Sequence, residues 1–382
     1  MIPFHKPHIT EDEVTEVIDS VRSGWLTMGP KTIEFENRFK EYIGSKNAVS
    51  ASSCTACLHL ALKVIDIKEG DEIIIPNITF TATAEVVTYF NARPVLVDVE
   101  EGTLNIDVTK IEEKITNKTK AIIPVHFGGQ PCDMDEIMDI AKRYNLFIIE
   151  DAAHALPAFY KKRKIGTIGD ITCFSFYATK TLSAGEGGMI TTDNDDWAER
   201  MRILRLHGIS RDAWKRYTEE GSWYYEVIEA GYKYNMTDLH AAVGIAQLRK
   251  IEQMWHKRKE IASWYTEAFD MVREIEPPII KKDRESAWHL YVIRLNVDML
   301  KIDRNQFIDE LKKRGIGTSV HFIPLHRHPY YRNNFQYKPA DFTVSDKSYE
   351  KIISLPIYPS MTERDIDRVI NSVEDIVKQY RR

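Results

Sequence analysis

Leu146-Phe147-Ile148-Ile149-Glu150-Asp151-Ala152-Ala153-His154-Ala155 is the stretch that decides the fold. Its first four residues are large and apolar in succession, the pattern of a short strand covered by helices on both faces. The run then stops on two acids and a string of small residues. Open α/β sheets bind ligands at the carboxyl edge of their strands, so an acid delivered there stands at a binding edge. Asp151 alone fits a metal ligand, a general base or the partner of a pyridinium nitrogen.

Outward from this strand the same pattern recurs. Asn47 to Ala51, Glu72 to Ile75, Pro94 to Val99, Lys120 to Val125, Ile171 to Phe176 and Gly188 to Thr192 are short β-branched runs, several of them separated by helical stretches. They predict a largely parallel sheet between about residues 47 and 194. A connector rich in Trp, Tyr and charge follows from Gly208 to Ala230, then a long helical stretch from Thr237 to about Phe269. Past Pro277-Pro278 the pattern becomes a strand from Trp288 to Leu295, a helix near Arg304 to Arg314, a strand near Thr318 to Phe322 and an amphipathic helix from Thr362 to about Tyr380. A large α/β domain over residues 1–250 and a smaller α+β domain over 251–382 are expected.

Two further segments carry chemistry. In Cys173-Phe174-Ser175-Phe176-Tyr177-Ala178-Thr179-Lys180, followed by Gly185-Glu186-Gly187-Gly188, a lysine leaves a buried strand with a hydroxyl five residues before it and glycines after it. A lysine so placed suits a Schiff base beside a phosphate subsite, against the plain alternative of a solvated loop residue. In Ala51-Ser52-Ser53-Cys54-Thr55-Ala56-Cys57, small hydroxylated residues end a strand and open a helix, whose first amides suit a phosphate. Cys54 and Cys57 form a Cys-x-x-Cys, but no second pair completes a zinc set, and the positions suit small residues packed under a phosphate loop. No metal is expected.

Composition narrows the class. The chain has 382 residues, 43% hydrophobic, and a net charge of -5 from 52 basic and 57 acidic residues without long single-sign blocks, so neither nucleic acid nor membrane is expected as a partner. The four cysteines agree with a reducing compartment, and the N-terminus lacks the pattern of a signal peptide, so a cytoplasmic location is expected. The sequons at Asn77, Asn117 and Asn235 read as chance matches in that setting.

The three segments together resemble the DegT/StrS family of pyridoxal-phosphate (PLP) dependent sugar aminotransferases. Also similar to that family are Ser23 to Pro30 (Ser-Gly-Trp-Leu-Thr-Met-Gly-Pro), Pro76 to Thr83, Pro124 to Pro131 with His126, Gly231 to Asp238 and Gly315 to Thr318. The resemblance covers nearly the whole chain. It implies the fold-type I aminotransferase architecture, an α/β fold with a mostly parallel central sheet flanked by helices and a smaller C-terminal α+β domain.

It further implies that Lys180 holds PLP as a Schiff base and that Asp151 pairs with the pyridine nitrogen, which keeps the ring protonated as an electron sink. Phe80 would stack on one ring face and Ala153 pack on the other, His154 would lie near the ring oxygen, and Ser175 with the Thr55 and Ala56 amides would hold the phosphate. Relatives read Gly-Tyr-Asn-Tyr-Arg where this chain has Gly231-Tyr232-Lys233-Tyr234-Asn235, so either Lys233 or Asn235 would meet the partner subunit's cofactor phosphate in a homodimer with shared active sites. Trp25, Thr27, His321 and Phe322 match positions near the acceptor, and Arg205 with His207 and Gly208 is a weaker candidate set. The implied substrates are L-glutamate and a nucleotide-linked keto sugar, best matched by a UDP-linked 4-keto hexose, in amino-sugar synthesis for a surface polysaccharide. A 3-dehydratase using pyridoxamine phosphate (PMP) resembles this family but carries His where Lys180 stands. A PLP-binding sensor would favour a DNA-binding module, which this sequence does not display.

Overall fold

The computed structural model describes residues 1–210 and 224–382. In chain order the elements are α1 (Glu11–Ser23), α2 (Pro30–Ile43), β1 (Asn47–Ala51), α3 (Cys54–Val64), β2 (Glu72–Pro76), α4 (Ala82–Thr88), β3 (Arg93–Val97), β4 (Thr119–Ile122), α5 (Met134–Tyr144), β5 (Phe147–Asp151), β6 (Phe159–Tyr160), β7 (Arg163–Lys164), β8 (Ile171–Ser175), β9 (Gly188–Thr192) and α6 (Asp195–Leu204). They continue with α7 (Asp238–Arg249), α8 (Ile251–Phe269), β10 (Ile275–Glu276), β11 (Arg284–Glu285), β12 (Tyr291–Leu295), α9 (Arg304–Lys313), α10 (Pro329–Phe335), α11 (Thr343–Tyr349), β13 (Ile352–Leu355) and α12 (Glu363–Tyr380).

Seven strands form the main sheet in the order β1-β9-β8-β5-β4-β2-β3. From β3 to β8 neighbouring strands run parallel, and β9 runs antiparallel to both β8 and β1. The continuous apolar runs behave as their pattern requires. Ile73, Ile74, Ile75, Ile148 and Ile149 are fully buried, with alternate residues divided between the hydrophobic clusters on the two sheet faces. Short sheets β10-β12-β13 and β11-β6-β7 complete the described strands.

Two sequence expectations need correction. The helical stretch from Thr237 to Phe269 is two helices, because Lys250 leaves helical geometry at φ -116° and ψ 12°. Ile251 and Met254 at the start of α8 pack under the main sheet, whereas Ile261, Ala262, Tyr265 and Phe269 pack in a separate cluster with β12, β13, α9 and α12. The expected strand near Thr318 to Phe322 is an irregular segment whose backbone pairs with β13 at a single position, Ser319–Ser354. Its side chains serve the site below, which a regular alternation would have pointed elsewhere.

Helix α1 inverts the usual arrangement. Glu13 and Ser20 are buried, while Val14, Ile18 and Val21 on one stripe are exposed. Glu13 is satisfied by Lys250, Gln247 and the Thr10 amide, so its burial is compensated. Asn77 is fully buried, which closes the first sequon to modification. Among the described residues no helix is long and apolar enough to cross a membrane.

Candidate active site

The carboxyl ends of β5 and β8 and the start of α3 meet at one cavity of about 610 Å³. Ser53, Thr55, Thr79, Phe80, Asp151, Ala153, His154, Ser175 and Lys180 form much of its floor and walls. Asp151 ends β5 with its carboxylate held at both oxygens: Oδ2 accepts from Thr83 Oγ1 at 2.8 Å and Oδ1 from the Ala153 N–H at 3.1 Å. Burial raises its pKa, and those two hydrogen bonds, with Lys180 and His126, pull against that rise.

Lys180 leaves β8 on a loop pinned by its own N–H to Tyr177 O at 2.8 Å and by Phe176 N–H to Gly187 O at 2.9 Å. Burial brings its pKa down to about 8, against the opposing influence of Cys54 and Asp151. An amine near that value is largely protonated at neutral pH yet yields its proton readily, as a group serving as both acid and base requires.

Ser53 caps α3 by accepting the Ala56 N–H at 3.1 Å. That amide is thereby used within the helix, so Thr55 lines the cavity and Ala56 does not. Gly188 is needed here, because a Cβ on it would stand 2.7 Å from Cys57 Sγ and from the Ser53 carbonyl, closing the approach of β9 to α3. Cys57 is fully buried and Cys54 donates to Cys173 O at 3.7 Å. Burial pushes both thiols up, so they stay protonated, which disfavours redox or zinc chemistry. Among the described residues no cluster of His, Cys, Asp and Glu could hold a metal ion.

Phe4, His289, Ser319, His321 and Phe322 close the cavity from the far side. Phe322 stacks on His154 with ring centres 5.8 Å apart and lies 6.0 Å from Phe80, and His321 is held by Ser354 Oγ at 2.8 Å. Burial lowers the pKa of His321 to about 4 and that of His154 well below the ordinary value, with Lys180 adding to both effects, so these imidazoles are neutral at pH 7.

Trp25, Thr27, Arg205, Lys233 and Asn235, like Ala56, are not among the residues that line this cavity within one chain. Trp25 packs against Gly29, Thr27 is exposed, and Lys233 is exposed with Nζ on Asn235 Oδ1. Arg205 is a correction: it is almost fully buried, and its guanidinium holds Glu36, Ser50 O and Ser50 Oγ. It clamps α2 to β1 and lies outside the Lys180 cavity, and His207 and Gly208 follow it in the chain. Residues 211–223 of the connector, on which part of the substrate reading rested, lie outside the described residues. Sequence reasoning missed Thr83, whose signal was a second hydroxyl just past Phe80, and His289, a polar residue at the head of an apolar strand. Phe4 carried no local signal at all.

A parallel sheet that presents an acid, a lysine of lowered pKa and a helix N-terminus at one carboxyl edge defines a fold-type I PLP enzyme. The residues fit the cofactor: an oriented carboxylate for a ring nitrogen, an amine for an aldehyde, and hydroxyls at the head of α3 and the end of β8 for a phosphate. The profile of the DegT/DnrJ/EryC1/StrS aminotransferase family matches residues 7–374. This chain belongs to that family, and PLP is its cofactor.

It is 58% identical over 380 residues to the uncharacterized protein MJ1066 of Methanocaldococcus jannaschii, covering 100% of this chain and 98% of that one. It is 50% identical over 378 residues to the spore coat polysaccharide biosynthesis protein SpsC of Bacillus subtilis, covering 99% and 97%. Among solved structures, Spr1654 of Streptococcus pneumoniae, assigned as a sugar aminotransferase and solved in its PMP form, superposes with a TM-score of 0.92 at 35% identity, covering 99% of this chain and 100% of that one.

Proposed function

We propose that this aminotransferase moves an amino group from L-glutamate to a nucleotide-linked keto sugar, with a UDP-linked 4-keto hexose as the best match, making an amino sugar for a surface polysaccharide. The observation that carries the reading is Lys180 at a cavity whose floor holds an oriented carboxylate. The naming of SpsC for polysaccharide biosynthesis and of Spr1654 as a sugar aminotransferase supports the acceptor class. Lys180 in place of His argues against the dehydratase reading.

When bound, PLP supplies the carbonyl that takes the amine and the ring that accepts electrons from the substrate's Cα. Asp151 would meet the ring nitrogen and hold a proton there, kept in line by Thr83 and the Ala153 amide. Ser175 and Thr55 would hold the phosphate at the head of α3, Phe80 and Ala153 would sandwich the ring, and His154 would lie at the ring oxygen. Lys180 Nζ would tether the cofactor and, once released, carry the proton away from Cα in the donor half-reaction and back in the acceptor half.

The reading includes a homodimer with shared active sites, in which either Lys233 or Asn235 meets the partner's cofactor phosphate and Trp25 and Thr27 lie near the acceptor. Their placement outside their own cavity and the exposed stripe of Val14, Ile18 and Val21 support it. It also divides the chain into a large cofactor domain over residues 1–250 and a smaller one over 251–382. Absorption spectroscopy tests the function: L-glutamate should convert the PLP band of the purified enzyme to that of the amine form, and a UDP-linked 4-keto hexose should restore it. A band that neither compound moves would overturn the assignment.

A further inference from the structure

The described cavity lining contains one cation, Lys180, and no arginine, although an amino-acid donor brings a carboxylate. Behind the wall, however, stands Arg258 on α8, 1% exposed, whose Nη1 donates to Ile357 O at 2.7 Å and Trp288 O at 3.3 Å. Its Nε has no partner, and among the described residues no carboxylate lies within ion-pair reach of it. A buried cation without a counterion is expensive, and an anion in the adjoining cavity would compensate it.

His289 directly follows Trp288, whose carbonyl Arg258 holds. It is 6% exposed, lines the cavity, and its Nδ1 is buried with no hydrogen-bond partner. Its ring centre lies 4.4 Å from that of His154, and burial holds its pKa well below the ordinary value, with the charges of Lys180 and Arg258 adding to that effect. The backbone is shaped to bring it there. Ala287 and Leu290 donate to the carbonyls of Gly129 and Gly128, and a Cβ on Gly129, at φ +108°, would stand 3.0 Å from Trp288 N. Trp288 itself adopts φ +51°, a left-handed conformation that bulky residues rarely hold unless the surroundings impose it.

We infer that His289, backed by the charge of Arg258, forms the subsite for the amino donor's carboxylate, with the imidazole donating from Nε2, the ring nitrogen that is not sealed inside the protein, to a carboxylate oxygen. This rests on the aminotransferase reading and adds to it the residue that selects an amino acid over a simple amine.

The test uses the PLP-loaded full chain and two readouts. Calorimetry with glutarate, a dicarboxylate without a transferable amine, should show binding weakened at least about tenfold in His289→Phe, the scale of one lost charge-assisted hydrogen bond. His289→Gln, which returns an N–H near the Nε2 position, should recover part of that loss. The L-glutamate concentration for half-maximal conversion should rise in parallel, while restoration by the keto sugar stays within about twofold. Unchanged glutarate binding in His289→Phe would overturn the assignment, as would a defect confined to the sugar half-reaction. If wild type binds glutarate through His289 yet L-glutamate leaves its cofactor unchanged, the donor named above is wrong and the carboxylate subsite stands.

Discussion

The floor and the roof of the cavity are built on opposite terms. On the floor, Asp151 and Lys180 come from strand ends of the main sheet, and each is fixed by bonds to its own neighbourhood. On the roof, Phe4 comes from the N-terminal segment and His289, Ser319, His321 and Phe322 from irregular backbone flanking β12 and α9, and His289 has a ring nitrogen with no partner. The floor is therefore complete for one fixed chemistry, and the roof keeps neutral, unsatisfied donors for substrates that change between half-reactions.

If that contrast is right, floor substitutions should lower kcat in both halves, and roof substitutions should separate them. The largest effect belongs to Lys180→Ala, where turnover should fall by ~10³-fold or more with the fold intact by circular dichroism. Asp151→Asn follows, with both half-reactions slowed on the order of 10²-fold because the ring nitrogen loses its charge partner. Thr83→Val removes one hydrogen bond to Asp151, about 1 kcal/mol, and should slow both halves by roughly 5- to 10-fold. Equal loss of both halves in His289→Phe would erase the distinction between floor and roof.

A pH test sharpens the floor. Lys180 in the cofactor-free protein has its pKa brought down from 10.5 to about 8, so between those values the unfolded chain binds the extra proton. Stability should therefore rise with pH across that window relative to Lys180→Met, and the contribution is lost as pH falls through 8. Capture of PLP needs the neutral amine and should quicken as pH rises through about 8. The smallest effect is on the scaffold: Ser53→Ala removes the α3 cap and should cost about 1 kcal/mol by denaturant unfolding, freeing the Ala56 N–H.

The same contrast explains what the sequence disclosed. Floor residues sit at the ends of continuous apolar runs such as Phe147 to Ile149, where local pattern announces the strand and the next residue announces the site. Lys180 was legible because strand, hydroxyl and glycines are neighbours in sequence. His289 and Phe4 reach the cavity through contacts far along the chain, and a left-handed Trp288 has no sequence signature. The segment at Thr318 to Phe322 was misread as a strand because its β-branched residues meet the pattern, while a single pair with Ser354 is all the sheet it joins. Arg205 looked available because charge suggests exposure, whereas Glu36 and Ser50 bury it as a clamp.

The central claim is that Lys180 is the residue to which the cofactor is attached. Borohydride reduction of the PLP-loaded enzyme, followed by peptide mapping by mass spectrometry, tests it most directly. The account predicts a single pyridoxyl adduct on Lys180, absent when L-glutamate is added before reduction. An adduct on another lysine, or none on Lys180, would contradict it.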